Sequence, residues 1–295
     1  MAMPPSAPKP RRAASPYDPT GIDDGTGGIP VATGRPALRA GAWIVLAIAL
    51  AVIAGLAWRT MERKAIDRAY EQGVRALADG RRDDARMAFD RVIAERPESG
   101  AAWRQRGYAA DAPDRAIEDF TRAIALDAND AEAYAARGRA WLGARQPARA
   151  LPDFEAALAR AAAAGAEQAT VTTWRADRGA ARLEAGDPKG ALADLEFAAT
   201  ERKAIDDWRL LAVARGAAGD WAGARVAQDR AIEGGAPNAA LGERALILMR
   251  LGDDAAAGVD LVRCAQVDPA CAASYGARAT ELARELGRPP PSGAR

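Results

Sequence analysis

The 295-residue chain has no histidine. That removes the commonest general base, the commonest metal ligand and the usual charge switch near neutral pH. Only two cysteines occur, Cys264 and Cys271, too few for a four-thiolate zinc site, and their separation is not the short C-x-x-C of a redox catalyst. An excess of one charge sign is missing as well. The formal net charge is +1, which argues against a surface dedicated to nucleic acid. Carboxylate chemistry, such as a glycan-acting enzyme built on helical hairpins, needs two facing acids, and no acidic pair clusters for it. The sequence therefore implies no catalytic centre, no cofactor and no metal. What it has in quantity is apolar side chain, 49% of residues, enough to bury a core along most of its length.

Three compositions follow one another. Residues 1–38 are rich in Pro, Gly, Ala and Ser without an apolar period, the signature of a disordered tail. Gly41 to Trp58 is then 18 residues without a charge. As a helix it reaches roughly 27 Å, close to a thin bilayer's hydrocarbon core. Trp43 and Trp58 sit near its ends, where amphipathic rings favour the headgroup level, and Arg39 and Arg59 bracket it as membrane-interface anchors. The expectation is one transmembrane helix acting as an uncleaved signal anchor. A cleaved signal peptide would need a leading segment of about 40 residues, and Ala47-Ile48-Ala49 lies in mid-segment. Ala47, Ala51 and Gly55 give one face of small residues, a candidate contact for a homo-oligomer, although alanine is common throughout the chain.

Orientation stays open on charge. Arg59, Arg63 and Lys64 follow the span closely and only Arg35 and Arg39 precede it closely, which puts the C-terminal part in the cytoplasm. Lys9, Arg11 and Arg12 bring the N-terminal side level when the whole tail is counted, and a basic tail is costly to translocate.

From Ala65 onward one pattern returns about every 34 residues, the spacing of a helix–turn–helix array. A small residue in one helix is followed by Ala, a large apolar residue and Ala in the next. The copies run over about 66–99 (Gly73, Ala85, Phe89, Pro97), 100–130 (Trp103, Gly107, Ala116, Phe120, Ala123) and 131–164 (Tyr134, Gly138, Trp141, Ala150, Phe154, Ala157). They continue over about 172–205 (Trp174, Gly179, Ala191, Leu195, Ala198), 205–238 (Trp208, Ala212, Ala224, Ala231) and 238–271 (Leu241, Ala245, Ala257, Leu261, Pro269). The second copy is three residues short around Asp111-Ala112-Pro113, so its first helix should lose most of a turn. An alanine-rich insertion near 161–171 should extend the helix before it and turn at Gly165. The fifth copy is weak, with Gln228 where the others carry Phe or Leu. Gly80, Gly186, Gly219 and Gly252 share one position, suited to a left-handed helix end, and Asp187, Asp220 and Asp253 follow three of them as candidate N-caps. A capping helix of about 272–286 closes an array over 65–287, with 288–295 as a second disordered tail.

In these positions the array resembles the tetratricopeptide repeats, over roughly three-quarters of the chain. The resemblance implies an all-α fold: a right-handed superhelical solenoid of about six hairpins, preceded by the transmembrane helix and the tail. It implies a concave groove lined by the first helix of each hairpin, and here those positions hold Tyr70, Val74, Leu77, Arg104, Tyr108, Arg139, Leu142, Arg209, Val213, Leu246 and Met249. Apolar with scattered arginine, they suit a protein or peptide segment bearing acidic groups. The Asn of the carboxylate-clamp subgroup is missing from these positions, so capture of a chaperone C-terminus is not implied. Cys264 and Cys271 flank the turn at Asp268-Pro269, seven residues apart. Similar bridges occur in secreted, cysteine-rich relatives, which makes the pair a candidate disulfide; two small core residues are the alternative. A bridge would place the array in an oxidising compartment. By its resemblance to membrane-anchored bacterial repeat proteins, the chain is expected in the inner membrane with its array periplasmic, as a scaffold or assembly factor. A cytoplasm-facing adaptor is the alternative.

Overall fold

The computed structural model describes residues 36–294, with side chains from residue 43 onward except at 272. The expected tail, 1–38, lies outside the described residues apart from 36–38, which open the first helix, and the side chain of Arg39 lies outside them too. Thirteen α-helices and no strand are found among the described residues. The chain divides into two units, one ending at Arg59 and the other starting at Thr60.

In the first unit, residues 43–58 belong to helix α1 (Pro36–Ala78), which starts five residues before the expected Gly41. Every side chain from Trp43 to Trp58 is exposed, including Ile44, Val45, Leu46 and Ile53. The helix is long and apolar enough to cross a membrane.

The second unit is a stack of hairpins. Its first pairs the later part of α1 with α2 (Arg82–Glu95). Then come α3 (Gly100–Tyr108) with α4 (Pro113–Leu126), α5 (Ala131–Gly143) with α6 (Pro147–Ala164), and α7 (Gln168–Glu184) with α8 (Pro188–Arg202). The last two are α9 (Ile205–Ala217) with α10 (Trp221–Glu233) and α11 (Ala239–Leu251) with α12 (Asp254–Val267), closed by α13 (Pro269–Glu285).

Close packing inside each hairpin explains the repeating small residue. A Cβ on Gly107 would stand 2.6 Å from the Phe120 ring, and one on Gly138 2.9 Å from that of Phe154. The large residue of the second helix thus rests directly on the backbone of the first, and Phe89, Phe154, Leu195 and Leu261 are fully buried. The irregularities also follow the sequence. α3 has 9 residues where α5 has 13, a loss of about one turn, and α6 extends to 18 before stopping at Gly165 in a left-handed cap. Asp187, Asp220 and Asp253 each accept a hydrogen bond from the backbone N–H three residues on.

Two boundaries differ from expectation. α13 starts at Pro269 rather than about 272, because Asp268 caps it through the Ala270 N–H and Pro269 takes the first-turn position that needs no donor. The C-terminal residues do not form a free tail. Arg288 bonds Asp254 (3.2 Å) and the Met249 carbonyl, and Ala294 is buried with Ala245, Leu261, Ala279 and Leu282. Glycines in α12 and α13 admit this strap: a Cβ on Gly258 would lie 2.3 Å from Ser292 Oγ, and one on Gly276 2.8 Å from the Ala294 carbonyl. Composition suggested disorder there, but three prolines restrict the unfolded chain and lower the cost of laying it down.

Candidate interaction surface

The first helices of successive hairpins share a face, and the arginines expected to await a ligand are engaged there. Arg104 on α3 reaches Asp130 at the start of α5 (2.6 Å) and lies 3.3 Å from Glu132. Arg139 on α5 pairs with Asp177 on α7 (2.7 Å), Arg209 on α9 with Glu243 on α11 (2.7 Å), and Arg250 on α11 with Glu285 on α13 (3.1 Å). Each bond links one hairpin to the next. Tyr108 packs edge-on to Phe120 and donates its hydroxyl to Glu132 (3.1 Å). Burial, and then the Glu132 charge, push its pKa up. Burial also raises the Asp177 carboxyl, against the opposing pull of Arg139.

The apolar groove positions divide. Val74 and Val213 are exposed on the face, Leu246 is partly buried at its floor, and Tyr70 packs edge-on against Phe89 at 5.7 Å. Met249 does not line the groove; it is buried in the core beneath the C-terminal strap, because the strap and α13 close over that side of α11.

A second set of residues carries no mark in the groove pattern. Inside four hairpins an arginine before the small residue of the first helix forks onto a buried aspartate before the large residue of the second. The pairs are Arg106–Asp119, Arg137–Asp153, Arg178–Asp194 and Arg244–Asp260, at 2.6 to 2.9 Å. The signal is present as Arg-Gly or Arg-Ala answered by Asp-Phe or Asp-Leu. Burial pushes the Asp194 carboxyl up, but Arg178, Arg175 and Arg182 outweigh it and hold the group below the usual carboxylate range.

The fifth hairpin lacks both partners, with Leu211 and Ala227 in their places, and it lacks the large residue too. Gln228 stands there fully buried, donating to the Ala240 carbonyl (3.0 Å) and to Glu243 (2.9 Å). Beside it opens a recess of about 460 Å³ between α9, α11 and α13, floored by Ala212, Gly216 and Leu246 and walled by Trp221 and Arg250. That volume falls within the range of small-ligand and side-chain pockets, roughly 300–1,000 Å³.

Side chains stacked to this depth, hairpin upon hairpin with glycine under phenylalanine, decide the architecture. The fold is that of the tetratricopeptide repeats. Among solved structures, the pilus biogenesis factor PilW covers 68% of this chain and 93% of its own, with TM-score 0.59 and 18% identity. YrrB, described as a TPR protein with an unusual peptide-binding site, covers 68% and 97%, with TM-score 0.54 and 19% identity. MamA from Desulfovibrio magneticus RS-1 covers 57% and 93%, with TM-score 0.50 and 20% identity. No family model and no curated protein matches the sequence.

At the far end of this tetratricopeptide-repeat array, Cys264 and Cys271 face one another from α12 and α13, both buried. Their Cα atoms are 5.8 Å apart, inside the span of a disulfide. Trp43, Trp58 and Arg59, the expected interface anchors with described side chains, are exposed along the apolar helix.

Proposed function

We propose that this protein is a single-pass, membrane-anchored scaffold whose helical array binds a protein or peptide segment, without catalytic chemistry of its own. The observation that carries the reading is the open, apolar-floored recess on the first-helix face, in a fold whose solved neighbours include a peptide-binding protein and a pilus biogenesis factor. The exposed apolar run from Trp43 to Trp58 would otherwise lie bare in water, at a cost of about 1.5–3 kcal/mol for each large side chain. The facing cysteines favour an oxidising compartment for the array, periplasmic in a bacterial inner membrane, with residues 1–38 in the cytoplasm. The second reading keeps the array cytoplasmic, and the cluster Arg59, Arg63 and Lys64 just after the apolar run supports it.

Two measurements test this. Affinity capture on the full chain in native membranes should recover a discrete partner that an array with its groove positions charged does not; recovery of none by a folded chain overturns the scaffold. Labelling of both thiols in intact cells by a membrane-permeant reagent only, and not by an impermeant one, without prior reduction, would overturn the periplasmic placement. Ala47, Ala51 and Gly55 share one face, and a Cβ on Gly55 meets nothing within 4 Å, so cross-linking of the anchor helix can test for a dimer on that face.

A further inference from the structure

The geometry points to the fifth hairpin as the place where a bound segment is anchored, by one bulky apolar side chain flanked by an acid on one side and a base on the other. This rests on the interaction reading above and narrows it to one end of the array and one chemistry.

The space comes from the sequence. The five other hairpins put a fully or nearly buried Phe or Leu against the small residue of the first helix, namely Phe89, Phe120, Phe154, Leu195 and Leu261. In the fifth, Gln228 stands there instead, its amide turned to the Ala240 carbonyl and Glu243, and it lines one side of the recess. The small Ala212 and Gly216 leave a hollow whose entrance carries the exposed Val213. The hollow has the apolar floor and aromatic wall that a leucine, phenylalanine or tryptophan side chain fits.

Charge selects the flanks. Elsewhere on the first-helix face the arginines are neutralised between hairpins. At this hollow the two ion pairs Arg209–Glu243 and Arg250–Glu285 close in the same way. On α13, however, Arg278 and Glu281 both face the hollow, and among the described residues neither has an ion-pair partner. They stand one helical turn apart, so a segment crossing α13 meets a cation and an anion in a fixed order. A peptide with acid and base on opposite sides of its anchor satisfies both, and one with two like charges leaves one repelled.

The test is selection of a random dodecapeptide library displayed on phage against the full chain in lipid nanodiscs. Enriched peptides should share one bulky apolar residue with an acid and a base to either side. Val213 and Val74 hold the same position in hairpins five and one, so Val213→Trp should lower recovery of the selected peptides by at least about tenfold, a loss of 1.4 kcal/mol or more, while Val74→Trp leaves it unchanged. The double variant Arg278→Glu/Glu281→Arg should enrich peptides with the two flanking charges exchanged. Thermal melts matching those of the parent chain keep these readings independent of folding. Loss with Val74→Trp but not Val213→Trp overturns the fifth-hairpin site and leaves the groove reading standing. No enrichment by the parent chain overturns both. Self-association abolished by Val213→Trp, with no peptide enriched, overturns the peptide in favour of a second copy of this chain.

Discussion

The guanidinium of Arg178 lies against the carboxylate of Asp194 in a two-bond fork, Nε to Oδ2 at 2.7 Å and Nη2 to Oδ1 at 2.8 Å, joining the two helices of one hairpin. Arg175 and Arg182 complete the set at 3.1 and 3.0 Å, and the Asp194 side chain is only 1% exposed. Removing it strands three cations around a buried gap. Asp194→Ala should therefore destabilise the array by about 3 kcal/mol, read as a lower urea midpoint. The carboxyl is depressed below its ordinary value, so its stabilisation is present above the unfolded pKa of about 4 and is lost as pH falls through the folded one. The acid side of the stability curve should flatten in Asp194→Asn; an unchanged acid limb would remove this group from the pH dependence.

Arg145 sits seven residues after Gly138, where other hairpins place glycine, and takes the same left-handed backbone with φ 59°. Its side chain is exposed. Arg145→Gly should stabilise the chain by about 1 kcal/mol, since the left-handed conformation costs a side-chain-bearing residue roughly 1–2 kcal/mol. A fall in melting temperature would show that the arginine makes up the strain in another way.

Gly107→Ala improves helix propensity yet should lower stability. The new methyl would lie 2.6 Å from the Phe120 ring, and overpacking of this kind costs about 1–3 kcal/mol against a propensity gain of about 1. Adding Phe120→Leu should recover part of the loss. Ala212 and Ala245 hold the same position in the fifth and sixth hairpins, opposite Gln228 and Leu261.

If Cys264 and Cys271 are bonded, the denatured, unreduced protein should show no reactive thiol, and reduction should destabilise α13 and its neighbours by about 2–3 kcal/mol for so short a loop. Maleimide labelling under denaturing conditions counts the thiols. Two labelled cysteines in protein taken directly from its membrane would end the disulfide reading.

Much of the fold is legible in the residues because one physical rule, small under large, is written in five of six hairpins. Even the departures are visible: the lost turn of α3 at Asp111-Ala112-Pro113, and the insertion ending at Gly165. The groove was less legible. Position alone places Arg104, Arg139 and Arg209 on the first-helix face, but whether each is free depends on an acid 26 to 38 residues away, and only the stacking brings the two together. The Arg–Asp forks are local and could have been read from their spacing. The strap could not, because its burial depends on Gly258 and Gly276, residues that look like ordinary helix interruptions until something lies across them.

The absent fork in the fifth hairpin also bears on how the chain is made. Hairpins two, three and four carry their own Arg–Asp lock, so each can close as soon as its second helix has left the ribosome. The fifth closes one bond of its own, Arg215 to the Gly223 carbonyl (3.2 Å), but its buried Gln228 finds its partners in the sixth, at Glu243 and the Ala240 carbonyl. The polar end of that side chain must wait for the residues after it. A nascent chain arrested near residue 235 would present three forked hairpins and a fifth whose Gln228 still lacks both partners.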